Sequence, residues 1–320
     1  MVEFTVTILG CGSAKPTLRH HTSSQIVSRL GKLYMIDCGE GTQIQFMKYG
    51  FHPGQMENIF ISHAHGDHCL GLVGLLSSMS LDNRYRAINL YVPSGFVDML
   101  KAQIDYFIPH ADFDIRINPI DCQVPTRIFS DCHFDVTAIP LYHRVPCYGF
   151  LFREKEGGRH IIPECISKYG IKFSEIERIK SGADYTTAAG QVIPNAELTA
   201  PPDLVRTYAY LSDTQPVMQY VDLLQGVDLI YHDATYCEGD DGRACQHGHS
   251  TASQAAEFAK ACNAGKLLLG HFSSRYGMLE DWLLECASRH FPKIMLADEG
   301  LTVKISDKTE EGARFIEWRR

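Results

Sequence analysis

The chain has 320 residues, 45% hydrophobic and 21% charged side chains, and a formal net charge of -8 at pH 7. That balance supports a large buried core and excludes a disordered chain. The acidic sign excludes a broad nucleic-acid-binding surface, because non-specific affinity comes mostly from Lys and Arg neutralising phosphates, so any nucleic-acid partner would need a local patch or metal. Eleven cysteines, an odd number without CxxC spacing, and the start "MVEFTVTILG", which lacks a basic segment before a long apolar run, read as reduced thiols in a soluble cytoplasmic protein. No stretch approaches the ~18 uninterrupted apolar residues of a membrane span. The length exceeds one ordinary domain, yet layered folds with insertions stay single, so one domain over residues 1–320 is expected.

In chain order, "EFTVTIL", "SQIVSRL", "KLYMIDCG", "NIFIS" and "AINLYV" read as strands from their alternating or short apolar runs. After the first of them, "LGCGSAK" begins Gly10-x-Gly12 like a dinucleotide loop, but Lys15 stands where the third glycine belongs and no helical pattern follows. A tight strand-to-strand turn is expected instead. "HCLGLVGLLSSMSL" and "SGFVDMLKAQIDYF" read as helices, the former carrying Gly71 and Gly74 as close-packing positions. "FDVTAIPL" and "CYGFLFR" are further strands. Residues 154–203 are polar and interrupted by glycine and proline, and a connection this long is read as an inserted arm. "PVMQYVDLLQG" and "STASQAAEFAKACN" read as helices, the second with Ser250 as N-cap. Strands alternating with helices in two halves imply sheets with helices outside.

The strongest chemical signal is "ISHAHGDHCLGLVGLL". His63 and His65 stand two apart in extended backbone and point the same way, while Asp67 and His68 follow the bend at Gly66. Two ligand groups can therefore face two adjacent sites. Imidazole and carboxylate without thiolate favour zinc, with manganese or iron as alternatives. More ligands must come from other strand ends, where loops gather on one edge. His143 in "PLYHRVP", Asp213 in "YLSDTQP" and His271 in "LLLGHFSSRY" each follow a strand and complete a set of five histidines and two aspartates.

With these residues the chain resembles the metallo-β-lactamase superfamily, and "SHAHGDHCLGLVGLL", "HDATY", "GHSTASQAAEFA" and "GHFSSRY" resemble its ribonuclease Z branch, from Leu9 to Val303 in consistent order. The resemblance implies an α/β fold, the αββα metallo-β-lactamase sandwich with a protruding arm. It implies two Zn2+ per subunit, one held by His63, His65 and His143, the other by Asp67, His68 and His271, with Asp213 bridging. It implies a zinc-dependent endoribonuclease that removes the 3′ trailer from precursor tRNA by metal-hydroxide attack on a phosphodiester, leaving a tRNA 3′-hydroxyl. Asp67 is then catalytic as well as a ligand. His249 in "HGHST" matches the branch's HST histidine and is expected to protonate the leaving oxygen, oriented by Asp233, which replaces the more usual glutamate. Arg275 and Tyr276 are candidates for holding phosphate and stacking on a base.

Two segments depart from the branch. Its PxKxRN loop corresponds to Pro16-Thr17-Leu18-Arg19-His20-His21, where Leu18, His20 and His21 replace the lysine, arginine and asparagine. The arm lacks the branch's Gly-Pro but offers Lys168, Lys172, Arg178 and Lys180 to a tRNA, interleaved with Glu175 and Glu177. A homodimer is implied by the resemblance alone. Two other readings stay open: a hydrolase of a small phosphodiester, sulfate ester or thioester, and a catalytically silent RNA-binding subunit.

Overall fold

The computed structural model describes residues 3–82, 84–277 and 280–306 and the backbone of 316–319. Packing divides it into two units, Met1–Arg153 with Arg206–Arg320, and Glu154–Val205. No helix among the described residues is long and apolar enough to cross a membrane.

The first half of the larger unit runs β1 (Phe4–Gly10), β2 (Ser24–Arg29), β3 (Lys32–Ile36), α1 (Thr42–Lys48), β4 (Met56–Phe60), α2 (Gly66–Cys69), α3 (Leu72–Leu81), β5 (Ile88–Pro93), α4 (Val97–Phe107) and β6 (Ile115–Ile120). β1 to β3 pair antiparallel and β3 to β6 parallel. The period-two alternation sorts the side chains. Phe4, Val6, Ile8, Tyr34, Ile36 and Phe60 enter one core, while Leu33, Met35, Ile59 and Ile61 face a second core shared with Phe46, Leu72, Leu76 and Leu100 of the helices. The sequence suggested one helix from His68 to Leu81; α2 and α3 are separate, because the Gly71 N–H donates to the Cys38 carbonyl at 2.9 Å and not to the preceding turn. A Cβ on Gly71 would lie 2.1 Å from the Gly39 carbonyl oxygen, whereas at Gly74 nothing comes nearer than 3.9 Å. Close packing therefore explains Gly71 and not Gly74.

β7 (Thr126–Ser130), β8 (Phe134–Pro140) and β9 (Tyr148–Glu154) begin a second sheet. Residues 154–205, taken by themselves, hold β10 (His160–Ile161), α5 (Pro163–Tyr169), α6 (Phe173–Lys180), β11 (Tyr185–Thr186), β12 (Val192–Ile193), α7 (Asn195–Leu198) and β13 (Thr199–Ala200). Their own small core is Cys165, Ile171, Ile179, Tyr185, Ile193 and Leu198. Asn195 Nδ2 ties it by donating to the carbonyls of Ile179 (2.6 Å) and Ala183 (2.8 Å).

The chain then forms β14 (Thr207–Leu211), β15 (Leu229–Asp233), α8 (Asp241–His247), α9 (Ala252–Ala261), β16 (Lys266–Gly270), α10 (Glu280–Ser288) and β17 (Ile294–Leu296), before β18 (Thr302–Ile305) and β19 (Ile316–Arg319) return to the first sheet. β14 to β17 are parallel. The inner faces meet through Phe4–Phe134, Tyr34–Phe152 and Phe60–Phe150, with ring centroids 5.0, 6.2 and 5.6 Å apart. Ala255, Ala256 and Phe258 of α9 and Leu283 of α10 join this core. The layers are helix, sheet, sheet, helix.

Two local expectations need correction. "PVMQYVDLLQG" forms one helical turn of the tighter 3₁₀ kind at Met218–Tyr220, and no longer helix. The N-cap of α9 is Thr251, in a capping box with Gln254, because Ser250 spends its hydroxyl on the Thr214 carbonyl at 2.6 Å.

Candidate metal centre

β3, β4, β8, β14, β15 and β16 end at one edge of the two sheets, and the residues just beyond them supply the centre. The backbone there is unusual. Asp37, Asp213 and His271 have φ of 56°, 53° and 60°, the left-handed region that L side chains rarely adopt, and Ala14 beside them has 65°. Such conformations persist only where surrounding structure over-determines them. Here the strain turns a side chain abruptly off a strand end and toward a common point.

Two groups of donors result. In the first, His65 Nδ1 is 2.9 Å from His63 Nε2 and 3.3 Å from His143 Nε2. Asp213 Oδ2 is 3.5 Å from His63 Nε2 and 3.9 Å from His143 Nε2. In the second, His68 Nε2 and His271 Nε2 are 3.4 Å apart, and Asp67 Oδ2 lies 3.6 and 3.5 Å from them. Asp213 Oδ1 is 3.1 Å from each of those two imidazoles. Donors about 2.0–2.2 Å from one tetrahedral ion stand roughly 3.3 Å from one another. Both groups match that spacing, and the two oxygens of Asp213 divide between them.

Four of the five rings are held from behind. Asp37 Oδ2 is 2.7 Å from His68 Nδ1 and accepts the Tyr210 hydroxyl at 2.6 Å, while its Oδ1 accepts the Ser62 N–H at 2.7 Å. Ser62 Oγ is 3.0 Å from His63 Nδ1, the Gly248 carbonyl accepts from His143 Nδ1 at 3.1 Å, and Thr235 Oγ1 is 2.8 Å from His271 Nδ1. Such partners fix tautomer and ring orientation, leaving the other nitrogen for an ion. The Ala14 N–H holds Asp67 Oδ2 at 2.6 Å.

The charges suit a cation. Burial pushes His63 well below the ordinary histidine range, helped by the charge of His68, and burial also lowers His65 and His143. Burial works against ionisation of Asp67 and Asp213, but the neighbouring histidines hold both below the usual carboxylate range. His68 goes the other way: burial opposes its charge, yet Asp213, Asp37 and Asp67 raise it well above the normal value. A cation taking its place among these carboxylates would therefore release a proton from His68.

Comparison with known proteins agrees with this geometry. The family model described as Anti-Pycsar protein Apyc1 matches residues 4–106. A ribonuclease Z of Bacteroides fragilis is 43% identical over 305 residues, covering 95% of this chain and 100% of that protein. The chain belongs to the ribonuclease Z family. Human tRNase Z, short form, is 27% identical and superposes with a TM-score of 0.67 over 95% of this chain and 100% of its own. The Bacillus subtilis metallo-β-lactamase fold protein YhfI, 17% identical, shares the fold with a TM-score of 0.68 over 95% of this chain and 100% of its own.

The ribonuclease Z family is metal-dependent, and the His and Asp groups able to hold metal sit where its motifs fall. The HST histidine, His249, places Nδ1 2.7 Å from Asp233 Oδ2, with its ring 5.2 Å from that of His143 and 5.4 Å from that of His271. Burial disfavours its charge, but the Asp233 carboxylate outweighs this and His249 is raised to about 9. Asp233 is fully buried and its other oxygen accepts from Thr235 Oγ1 at 2.6 Å, so one carboxylate orders both His249 and the partner of His271.

Arg275 is exposed and its guanidinium lies 5.9 Å from the Tyr236 ring centroid. Tyr276 corrects the sequence reading: its ring is buried and its hydroxyl donates to Asp240 at 2.6 Å, leaving no face for a base. At the family's PxKxRN position, Leu18 is fully exposed and His20 is buried, with its two nitrogens each 2.9 Å from Glu280 and Glu299. Arg19 also pairs with Glu280, at 2.6 Å. Cys11 converges on the same histidine, but with a carboxylate on both nitrogens His20 suits a proton better than a metal ion. The segment is an anchor for the loop carrying Ala14. Lys168, Lys172, Arg178 and Lys180 are all exposed within the 154–205 unit, and Arg178 is paired with Glu175 at 2.8 Å. Sequence reasoning missed Asp37, Ser62 and Thr235, whose only signal was a polar residue at the end of an apolar strand.

Proposed function

We propose that this protein is the zinc-dependent endoribonuclease that removes the 3′ trailer from precursor tRNA, leaving a 3′-hydroxyl on the tRNA. His63, His65 and His143 would hold one zinc ion, Asp67, His68 and His271 a second, and Asp213 both. The division of the two Asp213 oxygens between the two imidazole groups carries this reading. When bound, the ions would supply Lewis acidity, making water a nucleophile at neutral pH and neutralising charge on the phosphoryl oxygens.

The chain supplies the remaining chemistry. Asp67, kept ionised and fixed by the Ala14 N–H, orients the attacking water. The water gives up a proton to solvent and its oxygen bonds to phosphorus as the bond to the 3′ oxygen breaks. That oxygen is a poor leaving group and needs a proton. His249, charged at neutral pH and held through Nδ1 by Asp233, supplies it. Arg275 would meet a phosphate, and Lys168, Lys172, Arg178 and Lys180 of the inserted arm would meet the tRNA elsewhere. A homodimer in the cytoplasm belongs to the same proposal.

The test is a precursor tRNA with a labelled 3′ trailer, protein of measured metal content, and Asp67→Ala as control. Metal-dependent cleavage near the discriminator nucleotide is expected, and its loss in the control. Intact RNA alongside turnover of an aryl phosphodiester would favour a small-substrate hydrolase, the reading that the net charge of -8 suits. A protein that binds the RNA and turns over neither would be a silent binding subunit.

A further inference from the structure

We infer that Arg144 and His247, spaced by Tyr236 and continued by Arg275, form a recognition surface for the ribose-phosphate chain on the tRNA-body side of the cut, as distinct from the trailer. The inference rests on the precursor-tRNA reading and adds residues to it.

Arg144 directly follows His143 of the first donor group. Its guanidinium donates to the Gln246 carbonyl at 3.0 Å and to His247 Nδ1 at 2.5 Å. The His247 ring lies nearly parallel to that of Tyr236, at 17° with centroids 6.3 Å apart. Tyr236 in turn is 6.1 Å from the His249 ring and 5.9 Å from the Arg275 guanidinium. Slight burial and then the charges of Arg144, His249, Arg275 and Arg243 lower His247, which shows how closely these cations gather. Tyr236 is itself buried, so it serves as the spacer and not as a stacking platform.

Neighbouring acids are already engaged. Asp240 takes Arg243 at 3.4 Å and the Tyr276 hydroxyl, and Glu238 faces Arg289 at 3.6 Å. Among the described residues no carboxylate lies within ion-pair distance of Arg144 or Arg275. In a chain of net charge -8, two guanidiniums linked through His247 and Tyr236, with no carboxylate partner among the described residues, leave local positive charge for an anion. A run of phosphates at nucleotide spacing is such an anion, and guanidinium forks match it.

The position of His249 selects the strand. Its proton goes to the 3′ oxygen that stays on the tRNA body, so groups ranged around His249 lie on the body side. Arg144 and His247 therefore meet the phosphates just upstream of the cut.

The test compares wild type, Arg144→Ala and Arg144→Lys at matched zinc content on precursor tRNA and on bis(p-nitrophenyl) phosphate. For Arg144→Ala we expect KM on the precursor to rise about tenfold, kcat to change much less, and the loss to exceed that on the aryl ester by a similar factor. The log–log salt dependence should become shallower by about 0.7–0.9. Arg144→Lys should recover the salt dependence but not all of KM, lacking the fork. Inhibition by mature tRNA should weaken in parallel with KM, while inhibition by a free trailer oligonucleotide should not. Equal losses on both substrates, an unchanged KM, or an effect confined to the trailer competitor would overturn the inference. A wild type that fails to cleave the precursor would take down the function reading itself, and the wild-type lane reports that separately.

Discussion

Asp233→Asn tests the proton donor directly. The amide keeps the size of the side chain but removes the charge 2.7 Å from His249 Nδ1. Burial opposes the charge on His249, and that carboxylate leads Asp213 and Asp67 in lifting the ring from 6.5 to about 9. The shift corresponds to about 3 kcal/mol in favour of the charged ring. Without the carboxylate burial is opposed only by the charges of Asp213 and Asp67, and the ring falls from about 9 toward its ordinary value. A full return to 6.5 would drop the protonated fraction at pH 8 from about 0.9 to about 0.03, a loss of up to roughly thirtyfold in any rate that needs the proton. Because His249 must be charged to donate, activity is present below its pKa and lost as pH rises through it. The descending limb of kcat should therefore move down by up to about two pH units in the variant. The assay is single-turnover cleavage of labelled precursor from about pH 5.5 to about 9.5, with a nitrophenyl phosphodiester in parallel. The nitrophenyl group departs without protonation, so its turnover should fall far less. If both substrates lose equally, Asp233 acts through Thr235 on His271, which it also orders. If the limb stays in place, His249 is not the acid.

Four further outcomes are expected. His20, raised to about 9 because Glu280 and Glu299 outweigh its burial, contributes stability that is complete below its unfolded value near 6.5 and lost as pH rises through about 9; urea melts of wild type and His20→Gln should differ by up to about 3 kcal/mol at pH 6 and converge near pH 10. Asp37→Asn should weaken zinc affinity about 10–100-fold in chelator competition, since it releases the His68 ring. Gly71→Ala, meeting the Gly39 carbonyl, should destabilise by about 1–3 kcal/mol in the same melts, while Gly74→Ala should be neutral or mildly stabilising. Replacing Lys168, Lys172 and Lys180 by Ala should raise KM for precursor tRNA and spare the aryl ester, and an unchanged KM would remove the arm from tRNA binding.

Much of the centre was legible because its densest part is local. His63 and His65 share a face by strand periodicity alone, and their donor nitrogens do meet at 2.9 Å. His143, Asp213 and His271 were legible only as polar residues just after strands, and their division into two groups came from the family resemblance. Asp37, Ser62 and Thr235 were not legible, because holding a ring from behind requires neighbours set by strand order, which no local pattern encodes. Ser250 and Thr251 are equally good caps by residue type; the choice was made by the Thr214 carbonyl, a tertiary partner. Tyr276 looked like a base platform beside Arg275, but a short 3₁₀ turn sends consecutive side chains to opposite environments. The inserted arm read as patternless because its elements are short and share a core of only six buried apolar side chains.

The backbone conformations at the centre bear on how it can be assembled before any ion arrives. Four non-glycine residues at or beside the site have positive φ, each costing of order 1–3 kcal/mol, a strain that the surrounding structure must hold. That hold comes from the fixed strand ends. Parallel strands β14, β15 and β16 set the spacing of Asp213, Asp233 and His271, and the core of interlocking aromatic rings prevents the sheets from sliding to relax them. The electrostatics point the same way. Burial opposes a charge on His68, but Asp213, Asp37 and Asp67 raise it well above the ordinary histidine value, so the carboxylates that favour a proton there also favour a cation. A cation bound among donors held at these strand ends would displace that proton. Proton release on zinc binding, read by an indicator dye in weak buffer and lost in His68→Ala, follows directly.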